Sequence, residues 1–206
     1  MVSGSTLTTL IAWVVNLAYI AAILPQLYLN FKIKSVKGLS DFYLIGYFAG
    51  YVTNCFYVYS LNFNLAYKIC SLSTLFIMLG IILQHFKYDK MYISNKIRIL
   101  YFLNFIIFIF LVPIVYYFPK IFGHIAGWLL VLIWSVYQIP QIFKIQNTQS
   151  VYGFSFILVN LIGYGNFVEL ILSFLLKFPL QSYLIAIRGI LVYIIFMFQF
   201  WLYGQK

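Results

Sequence analysis

The sequence repeats itself at a fixed offset of 115 residues, and this repeat limits the architecture more than any other feature. The hexamer SVKGLS at 35–40 returns as SVYGFS at 150–155, each preceded by a Pro-Gln dipeptide. Further pairs share the offset without gaps: Pro25-Gln26 with Pro140-Gln141, Trp13 with Trp128, Leu17 with Leu132, Gly50 with Gly165, Phe63 with Phe178 and Gln84 with Gln199. Because one offset holds from residue 13 to residue 84, we infer a duplication and expect two copies of one structural unit.

The chain has too few charged residues to cover its surface in water. Charged residues make up 8% of it and hydrophobic residues 65%, whereas a soluble domain is about 25% charged. A helix that crosses a bilayer needs about 20 apolar residues. Such stretches predict an all-α integral membrane protein with seven transmembrane helices, near 7–30, 41–61, 65–86, 98–118, 121–145, 154–176 and 180–203.

Seven helices and a duplication predict how the two copies are joined. Three helices leave the chain on the far side of the membrane, so one linking helix is needed before a parallel copy can start. We predict a first three-helix repeat at 7–86, a linker with the fourth helix at 87–120 and a second repeat at 121–206. Two parallel three-helix bundles related by an axis along the membrane normal are an arrangement known in transporters.

Basic residues near the helix ends predict the orientation, because cytoplasmic loops are enriched in Lys and Arg. One side carries nine of them: Lys32, Lys34, Lys37, Lys87, Lys90, Lys96, Arg98, Lys144 and Lys206. The other side carries three: Lys68, Lys120 and Lys177. We expect the N-terminus outside and the C-terminus in the cytoplasm. The net charge of +10 is then a topology signal and an attraction to anionic lipid, and we expect no nucleic-acid partner.

The two Pro-Gln dipeptides predict special points inside the first helix of each repeat. Proline removes a helical hydrogen bond and displaces the carbonyl four residues earlier. The amides of Gln26 and Gln141 can satisfy that freed carbonyl or bond across the bundle. The serines and glycine that follow are typical of a tight turn and a helix N-cap. We interpret Pro25 and Pro140 as a pair of hinges, with a static kink as the alternative.

The segments LPQLYLNFKIKSVKGLS and IPQIFKIQNTQSVYGFS resemble the two PQ-loops of the PQ-loop transporters, a family that includes cystinosin, lysosomal cationic amino-acid exporters and SWEET sugar carriers. The resemblance covers nearly the whole chain. It implies a SWEET-like fold and a facilitator or proton-coupled carrier that alternates access to a site between the bundles. KSVKGLS resembles the cystinosin branch more than the sugar carriers.

The chain departs from that branch at the position linked to proton movement. Aligned on the turn and the later glycine, cystinosin-like carriers have Asn or Asp where this chain has Tyr47 and Ile162. We expect no lumenal N-terminal domain, and we expect no lysosomal sorting signal in the tail WLYGQK. We therefore expect a bacterial inner-membrane protein, with a lysosomal or vacuolar membrane as the alternative.

Two charged residues lie deep inside predicted membrane helices, several residues from either end. Glu169 and Arg188 reach nearly the same depth on consecutive helices, and intramembrane charges usually face the bundle interior and find a partner. We predict that they pair in or beside a substrate cavity, with a structural staple as the alternative. Glu169 is also the candidate for ion coupling.

Helical spacing adds polar neighbours to these charges. Tyr47, Tyr51 and Asn54 share one face of the second helix, and Asn166 lies one turn from Glu169. Asn54 is the repeat equivalent of Glu169. A cavity with one carboxylate and one guanidinium suits a zwitterion such as an amino acid.

Trp13 and Trp128 lie about five residues below the outer face. Tryptophan often anchors the membrane interface, and an outer gate is the other interpretation of this pair.

We therefore predict an alternating-access transporter for an amino acid or related zwitterion, with proton coupling as an option. A SWEET-like sugar or neutral-solute facilitator is the first alternative, and a membrane receptor or accessory protein with the same fold is the second. We expect no enzyme, catalytic residue, metal or cofactor. The expected partners are a small-molecule substrate and the lipid bilayer, and the expected state is a monomer.

Overall fold

The computed structural model describes residues 6–204, except for the side chain of residue 114. The described part is helical, in the order α1 (Thr6–Ile33), α2 (Asp41–Ser60), α3 (Leu65–Tyr88), α4 (Asn95–Tyr117), α5 (Pro119–Val136), α6 (Ile139–Thr148), α7 (Phe156–Leu175) and α8 (Leu180–Tyr203). The prediction of an all-α chain is confirmed for these residues. Lys206, one of the basic residues behind the predicted orientation, lies outside them.

Six segments of the described chain are long and apolar enough to cross a membrane. They are α1, α3, α4, the combined α5–α6 segment Pro119–Thr148, α7 and α8. Helix α2, the predicted second span, does not meet the same test because it is rich in tyrosine and carries several polar residues. More than half of its residues are buried inside the protein. Helix α2 therefore faces mostly other helices and needs less apolar surface than a helix exposed to lipid.

The main helix contacts close a ring in the order α1, α3, α2, α5, α8 and α7. In each half the third helix contacts both the first and the second. Across the halves, α1 contacts α7 and α2 contacts α5. Helix α1 is equivalent to α5, and α2 is equivalent to α7, so both contacts join the first helix of one repeat to the second helix of the other. Helix α4 packs outside this ring, against α2 and α5.

The duplication is visible in the backbone as well as in the sequence. Four non-glycine residues of the described chain have positive φ, and they form two pairs at the offset of 115: Lys34 (52°) with Gln149 (48°), and Asn62 (51°) with Lys177 (50°). A side chain rarely adopts this left-handed conformation. Its recurrence at equivalent positions shows that the two copies fold through the same turns.

The two proline sites differ from each other. Helix α1 runs unbroken through Pro25, whereas the equivalent helix of the second copy is interrupted at Tyr137 and Gln138, two residues before Pro140. The two proline sites therefore differ in secondary structure, and the pair of hinges stays a prediction. Only the second site ends one helix and begins another.

Candidate functional site

A cavity of about 140 Å³ lies between the two halves of the ring. Its described lining includes eight tyrosines, together with Trp134, several amides and two charged residues. The tyrosines are Tyr19, Tyr43, Tyr47, Tyr51, Tyr57, Tyr67, Tyr137 and Tyr193. The lining combines aromatic surface with hydrogen-bonding groups, as ligand cavities usually do.

The structure brings the six predicted cavity residues to this one lining: Tyr47, Tyr51, Asn54, Asn166, Glu169 and Arg188. Tyr51 donates a hydrogen bond to the Tyr47 hydroxyl at 2.9 Å. Asn166 donates to the Ile162 carbonyl of its own helix at 2.8 Å. The polar face predicted on α2 and the polar pair predicted on α7 therefore face the same space.

The predicted ion pair between Glu169 and Arg188 is not formed. Glu169 accepts hydrogen bonds from the Tyr67 hydroxyl, at 2.9 Å to one carboxylate oxygen and 3.1 Å to the other. Among the described residues, no cationic side chain lies within 4 Å of its carboxylate. A tyrosine from α3 therefore takes the position that the sequence reasoning gave to the arginine.

Arg188 is held by neutral groups. Its Nη1 donates to Gln138 Oε1, and its guanidinium lies 5.7 Å from the centre of the Trp134 ring. Its Nε has no hydrogen-bond partner in the described part of the protein. Both Glu169 and Arg188 therefore present an ionisable group to the cavity, and no salt bridge joins them. Tyr19 lines the same cavity as both of them.

Sequence reasoning missed the aromatic pair Tyr19 and Trp134, which the offset of 115 relates to each other. Each ring packs against a glycine of the opposite repeat. A Cβ at Gly50 would lie 2.0 Å from the Trp134 indole nitrogen, and one at Gly165 would lie 2.6 Å from the Tyr19 ring. The repeat matched these glycines, so the signal was present, but it did not show which rings they accommodate.

One end of the cavity is closed by the two serine-glycine turns, which we call the basic end because it carries most of the lysines. Gly38 and Gly153 touch here, since a Cβ on Gly38 would lie 2.5 Å from the Gly153 backbone. Neither position has room for a side chain, which explains why both copies have glycine at the centre of the turn.

The two PQ glutamines fasten the basic end by reciprocal hydrogen bonds. Gln26 donates to the Gly153 carbonyl and accepts from the Ser155 N–H, both at 2.8 Å. Gln141 donates to the Gly38 carbonyl at 3.1 Å and accepts from the Ser40 N–H at 2.7 Å. The glutamine of each repeat therefore hydrogen-bonds to the turn of the other repeat. Of the two roles that the sequence allowed, this is the bond across the bundle and not the bond to the carbonyl freed by proline.

The serines of the turns behave largely as predicted. Ser35 and Ser150 each accept a hydrogen bond at 3.1 Å from the backbone N–H two residues later. Ser155 caps α7 by accepting from Leu158 N at 3.2 Å, whereas Ser40 occupies the N-cap of α2 without that bond.

Charged groups surround only the first of the two turns. Asp89 accepts from the Val36 N–H at 2.7 Å, and Lys144 donates to the Leu39 carbonyl at 2.7 Å. His85 lies 3.3 Å from the Asp41 carboxylate at the start of α2. Aromatic rings surround the second turn instead, where Phe154, Phe156, Phe196 and Phe200 form edge and stacked contacts. The two turns therefore have equivalent backbones but are packed against different kinds of side chain.

The opposite end of the cavity is covered by a second repeat-related pair. The rings of Phe63 and Phe178 stack with their centres 4.7 Å apart and their planes 20° apart. Beneath them the Tyr57 and Ser182 hydroxyls are hydrogen-bonded at 2.9 Å. Contacts between repeat-related residues therefore lie towards both ends of the cavity in this conformation.

The tryptophans proposed as an outer gate do not line the cavity. Trp128 is 46% exposed on the outside of the bundle, and Trp13 is partly exposed. Their positions fit the interface-anchor interpretation, whereas Phe63 and Phe178 occupy the place where an outer gate was expected.

Comparison with known proteins agrees with this geometry. A family model described as "PQ loop repeat" matches residues 7–67 and 122–182, which are two windows at the offset of 115 that cover more than half of the chain. Among solved structures, the chain is similar to a eukaryotic SWEET transporter. The TM-score is 0.71 with 14% sequence identity, over 98% of this chain and 100% of that chain. At this identity the likeness shows the fold. No curated protein matches the chain.

Proposed function

Because the chain belongs to the PQ-loop repeat family, we propose that it moves an amino acid or a related zwitterion across a membrane by alternating access. The family and the SWEET-like fold support a membrane transporter or facilitator of small solutes. The choice of a zwitterion comes from the cavity itself.

One observation carries this choice: the cavity presents a carboxylate and a guanidinium that do not neutralise each other. An isolated charge in a membrane protein is costly unless it finds a partner. Glu169 has a tyrosine hydroxyl, and Arg188 has a glutamine oxygen. An amino acid in the cavity supplies an ammonium group for the first and a carboxylate for the second. The substrate would thus complete both ion pairs.

The transport cycle we propose moves two three-helix bundles against each other. Helices α1, α2 and α3 form the first bundle, the second comprises α5–α6, α7 and α8, and α4 links them. Hydrogen bonds within a bundle persist in such a motion, for example Gln84 to the Leu27 carbonyl and Gln199 to the Ile142 carbonyl. Bonds of Gln26 and Gln141 join the bundles and must break when the basic end opens. Pro25 and Pro140 are the hinges of this proposal.

Glu169 is the group we propose for proton coupling. It is the carboxyl group of the described cavity lining, and the Tyr67 hydroxyl reaches both of its oxygens. In this proposal the substrate ammonium binds when the Glu169 carboxyl group is ionised and dissociates when that group is protonated. Proton uptake by Glu169 and substrate release are therefore linked.

We further propose that the basic end faces the cytoplasm, with the N-terminus outside, in a bacterial inner membrane. The excess of Lys and Arg around the turns and the α3–α4 loop supports this orientation. A lysosomal or vacuolar membrane is the alternative.

Exchange of a labelled amino-acid mixture across proteoliposomes tests the proposal. Glu169→Gln keeps the size and hydrogen-bonding capacity of the side chain and removes its charge, so we expect a folded protein with at least a tenfold loss of exchange. Asp41→Asn makes the same chemical change outside the cavity and should retain substrate binding. Full exchange by Glu169→Gln would contradict the role of the carboxylate.

A sugar or other neutral-solute facilitator is the second candidate. The eight tyrosines of the lining supply aromatic faces and hydroxyl groups that suit a sugar. Exchange of labelled glucose that survives Glu169→Gln would favour this candidate.

A further inference from the structure

We infer that the substrate is an amino acid of zero net charge with a large apolar side chain, in the class of leucine and phenylalanine. This inference rests on the proposed zwitterion transport and adds the identity of the side chain. It comes from the contrast between the two walls of the cavity.

The charges of the cavity argue for a neutral side chain. Among the described lining residues there is one carboxylate, from Glu169, and one guanidinium, from Arg188. Both are used by the ammonium and carboxylate groups that every amino acid carries. A lysine-like substrate would leave a second cation without a partner, and a glutamate-like substrate would leave a second anion. Each unpaired charge in this low-dielectric space would be costly.

One wall of the cavity is a layer of phenol rings. Tyr47 stacks on Tyr137, with centres 5.2 Å apart and planes 17° apart. It also contacts Tyr43 and Tyr51, at 5.3 Å and 4.8 Å between centres. All four rings are buried. A surface of ring faces attracts an apolar or aromatic group.

The facing wall on α7 is aliphatic. Leu158, Val159 and Ile162 line the cavity, and the first two are buried. Ile162 is the repeat equivalent of Tyr47, so the duplication has produced an aliphatic residue on one side and a phenol on the other. These three residues offer no hydrogen-bonding side chain to a polar substituent.

The order of residues along α7 places the aliphatic wall on the basic-end side of Glu169. Ile162 precedes Glu169 by seven residues, which is about 10 Å along a helix, and Leu158 lies about 6 Å further towards the basic end. We place the charged head group of the substrate between Glu169 and Arg188, which both line the cavity. A side chain attached to that head group points between the tyrosine and aliphatic walls.

The volume agrees with a medium-sized substrate. A cavity needs about 10–15 Å³ to hold one water, so the cavity volume of about 140 Å³ has room for a ligand of several non-hydrogen atoms. Glycine and alanine would leave much of this space empty. Leucine and phenylalanine fill it.

Thermal unfolding of the purified protein tests the inference, because a ligand that binds the folded state raises the melting temperature. The panel is leucine, phenylalanine, alanine, glycine, lysine, glutamate and glucose, each titrated to a Kd. We expect leucine and phenylalanine to bind at least tenfold more tightly than alanine, since even one methylene in an apolar pocket discriminates by about tenfold or more.

Ile162→Phe narrows the apolar wall and should weaken leucine and phenylalanine binding at least tenfold, with little effect on glycine. Ile171→Phe is the matched control, because Ile171 is on the same helix and 58% exposed on its outer face. It should leave the whole panel unchanged. If Ile162→Phe fails to fold, the wild-type ranking still decides the question.

The outcomes separate this inference from the proposed function. Equal or tighter binding of glycine and alanine, or preference for lysine or glutamate, would overturn the side-chain inference while amino-acid transport stands. Binding of glucose without any amino acid, or of no member of the panel, would overturn both. Glu169→Gln should abolish the binding of every amino acid, whereas Ile162→Phe should affect only the large ones.

Discussion

Replacing Gln141 by leucine should open the basic end of the cavity. The side chain makes two hydrogen bonds to the other repeat, to the Gly38 carbonyl and from the Ser40 N–H. Each is worth about 1 kcal/mol net, so the closed conformation should lose about 2 kcal/mol relative to the open one. At about 1.4 kcal/mol for each factor of ten, the open population should rise roughly 30-fold.

Cys70 provides the assay, because its thiol lines the cavity. In a Cys55→Ala background, a membrane-impermeant maleimide is added to vesicles from the basic-end side, and the rate of Cys70 labelling reports how often that end opens. We expect Gln141→Leu to label up to about 30-fold faster than the parent protein. Labelling from the opposite side should not increase.

Gln199→Leu is the matched control. Gln199 donates to the Ile142 carbonyl at 2.9 Å, within the second repeat, so its bond does not resist the separation of the two bundles. The control should label at about the parental rate. Equal labelling of the two variants, or faster labelling of Gln141→Leu only from the opposite side, would refute the idea that the PQ glutamine holds the bundles together.

Three other variants test separate parts of the site. Phe178→Ala removes an aromatic stack worth about 0.5–1.5 kcal/mol and should speed Cys70 labelling from the opposite end several-fold; an unchanged rate would contradict a gate there. Tyr67→Phe removes the hydroxyl that bonds Glu169 and should lower amino-acid exchange in proteoliposomes by about ten- to a hundredfold, since one hydrogen bond to a charged group is worth about 1.5–3 kcal/mol; full exchange would contradict the supporting role of this hydroxyl. Trp128→Leu should keep exchange within about twofold, because this ring lies outside the cavity, and a large loss would restore it as a gate candidate.

Much of the fold follows from the sequence because duplication and hydrophobicity are properties of long segments. The offset of 115 anticipated the paired turns, and the apolar stretches anticipated six candidate spans. Helix α2 was harder to judge from its hydropathy. A helix enclosed by other helices does not need the apolar surface that a helix exposed to lipid needs. Its tyrosines fit a cavity wall and lower its hydropathy at the same time.

The cavity residues were predictable where helical spacing alone decides the face. Tyr47, Tyr51 and Asn54 share a face of α2 in any regular helix, and they line the cavity. The partners of Glu169 and Arg188 were not predictable from depth, because residues at one depth can still point in different directions. Tyr67 bonds Glu169 from a third helix, and that neighbour depends on how the helices surround the cavity.

The symmetry of the sequence also hid a structural asymmetry. Matching proline dipeptides suggested matching bends, yet α1 is continuous and α5–α6 is interrupted. A proline permits a break without requiring one, because neighbouring residues decide whether the helix continues. The stack at the opposite end was likewise hidden, since the Phe63–Phe178 match gave no indication that the two rings meet.

Alternating movement of the two repeats is the central claim, and paired spin-label distances test it most directly. Labels at Lys37 and Tyr152 report the basic end, and labels at Tyr59 and Phe174 report the opposite end; each pair is related by the offset of 115 and exposed. In a cysteine-free background with and without amino acid, we predict two distance populations at each end. The basic-end pair should widen when the opposite pair narrows. A single unchanged distance at both ends under every condition, or simultaneous widening of both pairs, would contradict the account.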